Sequence, residues 1–192
     1  GRFGQGSFRL FGEIARPEPE ANLYGEAAFQ VEDLGPVWPA ARDWLRMHPA
    51  AGDLSLRWLL QGPLNRPAGW DLDLHASSNA LQIQGIPLTQ SSFHLRHKEG
   101  TLTLHSAQAA LAGGAISATG TLDRAQAPAR WKASLNTAGV QLSELAQALR
   151  WKMQEGLWGE ATLDWSGEGT WGDPKKITGS GNLLVAGAQI LE

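Results

Sequence analysis

Phe93-His-Leu-Arg-His-Lys-Glu-Gly100-Thr-Leu-Thr-Leu104 decides the fold. Its apolar residues alternate with polar ones, break at Lys98-Glu99-Gly100, and alternate again. Period two marks a strand with one dry and one wet face, and a Gly-closed break between two such runs is a hairpin. The same reading extends upstream. Leu54, Leu56, Trp58 and Leu60 alternate ahead of Gly62-Pro63, then Trp70, Leu72, Leu74 and Ala76, then Leu81 and Ile83 before Gly85. Downstream, Leu102 and Leu104 lead through Ala109 and Leu111 to the hairpin signal Gly113-Gly114. Ile116, Ala118, Gly120 and Leu122 follow, then Trp131, Ala133 and Leu135, then Ala161, Leu163 and Trp165, and finally Ile177, Leu183 and Val185. Turn signals recur about every 8–12 residues, the spacing of an all-β meander. One apolar face per strand favours antiparallel pairing over buried parallel strands.

Two stretches depart from this period. Pro39 to Met47 sets Ala41, Trp44 and Leu45 at helical spacing between Pro39 and Pro49, and Gln141 to about Trp151 sets Leu142, Leu145 and Leu149 on one stripe. The expected fold is therefore mainly β. An antiparallel meander forms an elongated curved sheet, an open groove or a flattened barrel-like trough, and two short amphipathic helices lie on the sheet or across its rim. Tyr24-Gly-Glu-Ala-Ala-Phe29 echoes Trp158-Gly-Glu-Ala-Thr-Leu163, which suggests an internal repeat. Residues 1–192 read as a single β-rich segment excised from a larger protein: Gly1-Arg2-Phe3 opens in an apparent strand and Ala188-Gln189-Ile190 closes in one. No run of about 18 apolar residues occurs, so nothing in the chain spans a bilayer as a helix.

Composition narrows the function. With 42% hydrophobic and 18% charged residues the 192-residue chain is neither disordered nor a membrane bundle, and a net charge of −3 gives no reason to bind nucleic acid. The absence of Cys removes thiol chemistry, thiolate metal sites and disulfides. Gly167-Glu-Gly-Thr-Trp-Gly172 spells a dinucleotide fingerprint but runs into Asp173-Pro174 and another strand, so it reads as a loop between strands. Asp71, Asp73, Asp123 and Asp164 fall on the polar phase, and nothing singles out a catalytic pair. Of the five histidines, His94 and His97 are three apart on a strand and so face opposite sides, while His75, His97 and His105 are the set able to converge on a metal across neighbouring strands. Exposed positions on the sheet surface explain them as well, and no metal or other cofactor is expected. The expectation is a protein that is not an enzyme.

The 23 Gly and nine Trp, against one Tyr, are unusual. Frequent Gly fits many tight turns. Trp58, Trp70, Trp131 and Trp165 sit in apolar phase, and Trp38, Trp44, Trp151, Trp158 and Trp171 near helices or turns. The rings suit core packing, a platform for sugars, or an apolar–aqueous boundary.

The order of several loose features from 81 to 190 resembles the C-terminal region of the AsmA-like family of bacterial envelope proteins. They are the Phe93–Leu104 hairpin, Ala109-Ala-Leu-Ala-Gly113-Gly114 with its returning arm to Leu122, Trp131 through Gly139-Val140 to the leucine helix at Leu145, and Gly156-Leu-Trp-Gly-Glu-Ala-Thr-Leu163 followed by Ile177 to Val185. Residues 1–80, with preceding strands and a helix at about 39–47, are similar to the large, YhdP-type members of that family. The resemblance implies a periplasmic protein tethered by a parent-chain anchor in the inner membrane. It also implies an apolar β-groove that carries phospholipid acyl chains towards the outer membrane, continued by neighbouring repeats of the parent chain. The candidate lining is Leu81, Ile83, Phe93, Leu95, Leu102, Leu104, Leu111, Ile116, Leu122, Trp131, Leu135, Leu163 and Trp165. A structural β spacer with a dry core and a carbohydrate-binding β module using exposed Trp are the competing expectations.

Overall fold

A computed structural model describes residues 2–3, 6–15, 20–34, 39–63, 66, 69–150 and 157–190. Strands β1 (Arg2–Phe3), β2 (Gly6–Ala15), β3 (Glu20–Gln30), β4 (Ala50–Pro63), β5 (Asp71–Ile83) and β6 (Ile86–Lys98) come first. They are followed by β7 (Thr101–Leu111), β8 (Gly114–Asp123), β9 (Arg130–Gln141), β10 (Leu157–Thr170) and β11 (Asp173–Ile190). All lie in one 11-stranded sheet in chain order, antiparallel at every step and open at both edges among the described residues. The antiparallel meander read from the alternation is therefore present, without barrel closure.

Local chemistry explains the connections. Gln84-Gly85, Glu99-Gly100 and Ala112-Gly113 each have positive φ at both residues, the signature of two-residue turns whose twist matches the flanking strands. The third turn falls one residue earlier than Gly113-Gly114. Gly114 instead begins β8, pressed so closely on Ala138 and Gly139 that a Cβ would overlap their backbone. Helix α1 (Pro39–Met47) joins β3 to β4 after a 3-10 turn at Val31–Leu34, and α2 (Leu142–Ala148) joins β9 to β10. Both connections lie at the same end of the strands, and α2 packs against β10, β9 and β6. The echoing segments 24–29 and 158–163 lie on β3 and β10, which run in opposite directions in the meander, so no translation along the sheet superposes them.

Residues directly opposite across a ladder share a face. One row crosses ten strands as Phe8, Ala27, Leu56, Ala76, Phe93, Ala107, Ala118, Leu135, Trp165 and Gly181. The adjacent row crosses the same strands as Ser7, Ala28, Ser55, Ser77, Ser92, Gln108, Ser117, Asn136, Asp164 and Asn182. The sheet is thus apolar on one face and hydroxyl-, amide- and charge-bearing on the other.

The large side chains of the apolar face are packed against each other but not sealed. Among the described residues no large side chain is fully buried, and the buried hydrophobic set is small: Ala21, Val31, Ala76, Val140, Ala146 and Ala161. Val140, near the end of β9 beside α2, faces Ala161 on β10. No dry core of large side chains of the kind a spacer domain needs is found among the described residues.

Glycine and tryptophan occur together for a steric reason. Trp58 lies opposite Gly25, Trp131 opposite Gly169 and Trp165 opposite Gly181. A Cβ at Gly25 would run into the Trp58 ring, and one at Gly167 would meet Trp165. Each indole lies down over backbone where the neighbouring strand carries no side chain. This is also why Gly167 and Gly169 lie inside β10 rather than in a loop, with only Trp171-Gly172 forming the turn. Trp158 and Trp171 are exposed, the side chain of Trp44 and all of Trp38 and Trp151 lie outside the described residues, and Trp70 donates its indole N–H to the Pro63 carbonyl at 2.6 Å.

Gly25→Ala should therefore destabilise the sheet by about 1–3 kcal/mol through overpacking, read as a lower urea midpoint at constant m-value. In a Trp58→Leu background the same substitution should be neutral or stabilising, because the ring it strikes is gone.

Candidate functional site

The apolar face keeps its phase through corrections built into the strands. Between Ser78 and Leu81 the apolar positions of β5 pass from even to odd numbers, and a register shift against β4 absorbs the extra residue. A matching shift near Gln90, at φ 50°, does the same between β6 and β7. In β7 the extra residue is His105, between Leu104 and Ser106, and it returns Ala107, Ala109 and Leu111 to the apolar side. In β9 Gly139, at φ 66°, brings Val140 back into line with Ala161. Each is a β-bulge, which moves one residue out of the ladder and turns the following side chains over.

With these corrections the candidate lining set from the sequence falls on one face: Leu81 and Ile83 on β5, Phe93 and Leu95 on β6, Leu102, Leu104 and Leu111 on β7, Ile116 and Leu122 on β8, Trp131 and Leu135 on β9, Leu163 and Trp165 on β10. All are half-buried. The candidate lining omits Ala76 and Ala118, which the alternation places in apolar phase, and Leu88 and Ala107, which it does not reach. They complete the face at its middle, where Ala76 and Ala118 leave room between longer neighbours. There an apolar hollow of about 240 Å³ extends from Leu54 on β4 to Ile116 and Ala118 on β8. That is below the range of about 300–1,000 Å³ for a whole small-molecule pocket, and its wall is aliphatic and aromatic apart from Ser77, Ser78, Ser91, Ser92 and Gln108.

Three larger hollows, about 820, 590 and 420 Å³, lie over the polar face. A twisted sheet is saddle-shaped, so both faces carry concavities along different diagonals. The largest is lined by Thr103, His105, Thr119, Thr121, Ser134, Ser166, Thr178 and the ion pair Lys132–Glu168 at 2.9 Å, with no Phe, Tyr or Trp ring. It lacks both a greasy wall and a platform for sugar rings, so size alone does not make it the site.

Electrostatics on the sheet are local. Tyr24 donates to Glu26 at 2.6 Å, and that bond raises the phenol above its ordinary value. Asp53 accepts the backbone N–H groups of Asn79 and Ala80 at 3.2 and 3.1 Å where the β5 bulge frees them from the ladder. Those two bonds hold its carboxyl below the ordinary value. His94, rather than His97, is the histidine gathered with His75 and His105 on the polar face. His97 lies on the opposite side, across from Leu72 and Leu102, with Nδ1 3.0 Å from the Trp70 carbonyl oxygen. Asp71, Asp73, Asp123 and Asp164 lie on the polar face as their phase predicts.

The model of the AsmA family matches residues 8–183. The chain belongs to the AsmA family. The match runs from Phe8, at the start of the apolar face on β2, to Leu183 on β11, so most of the described sheet lies within it. Among curated proteins and solved structures, nothing matches the chain. Family membership points to a function connected with the bacterial envelope.

Asp53 links this sheet's bulge to pH. Its lowered carboxyl contributes stability above the ordinary carboxylate value of 3.8, and the contribution is lost as the pH falls through the lower folded value. Asp53→Asn should have a lower urea midpoint than the parent chain at pH 7, and the gap should close as the pH drops below about 4.

Proposed function

We propose that this chain is a segment of a periplasmic lipid conduit, tethered to the inner membrane through its parent protein, that carries phospholipid acyl chains along the apolar sheet face towards the outer membrane. One observation carries the reading: an apolar face continuous across ten strands whose large side chains have no sealed core of their own. A chain lying on such a face is held by transfer from water at about 0.8 kcal/mol per CH₂, without any dedicated polar site. The protein does no covalent chemistry on its cargo. The hollow between Leu54 and Ala118 suits a stretch of acyl chain rather than an entire molecule.

The edges fit continuation into neighbouring segments of the parent. Leu183 and Leu184 on β11 are 67% and 66% exposed, and Leu10 and Ile14 on β2 are 55% and 58% exposed. Another strand laid on either edge would cover them. The carbohydrate reading has less support, because the apolar-face Trp rings lie over glycines rather than standing as a platform.

Native mass spectrometry of the gently purified chain, with lipid extraction from the same sample, tests the reading. Co-purifying phospholipid that falls by about tenfold or more in Ile116→Asp or Leu104→Asp is expected, since a buried unpaired carboxylate costs several kcal/mol. Lipid-free protein that also refuses added phospholipid would leave the spacer reading in its place.

A further inference from the structure

The polar face carries a second constellation that the lipid reading does not use. Asp73 and His75 are two apart on β5 and so point to the same side, and His94 sits directly across from His75 on β6. The Asp73 Oδ1 atom is 3.1 Å from His75 Nε2 and 3.0 Å from His94 Nε2. One donor atom from each of the three residues lies within 4.8 Å of the others. The His75 and His94 rings are stacked at 3.9 Å and 16°, and His105 stacks on the other side of His94 at 4.7 Å and 30°. The group opens into the 590 Å³ hollow of the polar face, which His75 and His94 help to line.

We propose that Asp73, His75 and His94 form a binding site for a divalent late first-row cation, Zn²⁺ before others. Bonds of about 2.0–2.2 Å from a tetrahedral Zn²⁺ to N and O donors set those donors about 3.3–3.5 Å apart. The two N···O separations here fall short of that edge by only a few tenths of an ångström. An ion entering between the donors therefore asks for small side-chain rotations and no change in register. Two imidazoles and a carboxylate form a borderline donor set that suits Zn²⁺, Co²⁺ or Ni²⁺ and disfavours Mg²⁺ and Ca²⁺, which take oxygen. The fourth position faces the open hollow and takes water.

The surroundings are assembled for this as well. His105 is the extra residue of the β7 bulge, and its displacement from the ladder is what brings its ring against His94. Bulges re-aim side chains in this manner. Nearby positive charge is partly offset: Arg57, across from His75, pairs with Glu26 at 3.5 Å, and Lys98 pairs with Asp71 at 3.7 Å. Arg96 lies opposite Asp73 and opposes cation binding. A bound ion would tie β5 to β6 beside the break in the β6–β7 ladder, on the face turned away from the lipid path.

Titration of the 192-residue chain with Zn²⁺ against a chromogenic chelator, and with Co²⁺ followed by visible absorption, tests the site. One equivalent of Zn²⁺ at micromolar affinity is expected, with affinity falling at least tenfold in His94→Ala, in Asp73→Ala and in His75→Ala. His75 is exposed, so its variant keeps the test intact should either of the others fail to fold. Arg96→Ser should tighten binding several-fold, and His97→Gln, on the opposite face, should leave it unchanged. Binding well below one equivalent, or binding that survives both His75→Ala and His94→Ala, would overturn the proposal.

Discussion

The structure depends on keeping every strand in phase. In a one-layer sheet a slip of a single residue transfers a strand's apolar side chains to the wet face, and among the described residues there is no second sheet to correct it. Eleven strands in sequence order accumulate such errors unless something resets them. The resets are the bulges at 78–80, Gln90, His105 and Gly139, each placed where the apolar positions would otherwise cross over. Asp53 stabilises one of them by accepting the two backbone N–H groups that the β5 bulge releases. Because every strand pairs with its sequence neighbours, local connections carry the topology, as short hairpins with positive-φ glycines at Gly85, Gly100, Gly113 and Gly172 and as longer links or helices elsewhere, and long-range crossovers are not needed.

The second requirement is to hold the sheet together without a conventional core. Cross-strand pairs provide this, each contributing roughly 0.2–1 kcal/mol relative to Ala–Ala. Trp58 over Gly25 and Trp165 among Gly167, Gly179 and Gly181 bury more ring area than side-by-side rings could, since the indole fills the space of a missing side chain. This pairing explains why Trp58, Trp131 and Trp165 are packing residues at the sheet surface rather than the centre of a globule.

Much of this was legible in the sequence because period two is a strong signal when repeated ten times. The hairpins at Gly85 and Gly100, the one near Gly113 to within a residue, the helix at 39–47, a second helix within the stretch from Gln141 to about Trp151 that is observed at 142–148, and the shared face of residues as distant as Leu81 and Trp165 follow from local patterns. Even the bulges left a trace, since the apolar phase changes between Ala76 and Leu81 and again between Leu104 and Ala109. What alternation does not carry is distance across the sheet. His94 and His97 look alike by composition, and only the register of β5 against β6, with the extra residue at His105, decides which of them meets His75. In the same way a motif search reads Gly167-x-Gly169 as a loop, because the Trp that makes those glycines useful in a strand sits on a neighbouring strand or two residues away. Whether an apolar face is a core or a lining also lies beyond periodicity: the alternating pattern is identical, and only the burial of the large side chains separates the two.

That half-burial has a thermodynamic consequence. Apolar surface that stays in contact with water forgoes about 25 cal/mol for each Å² left uncovered, so a sheet of this design holds its fold with part of its hydrophobic driving force unspent. A ligand that covers the face supplies the remainder, and whatever binds the folded sheet and not the unfolded chain adds to stability by mass action. Under the proposed function, cargo occupancy and sheet stability are then the same equilibrium seen from two sides. The sheet must hold together without cargo through its ladders and Trp–Gly pairs, and those are the features repeated along its whole width.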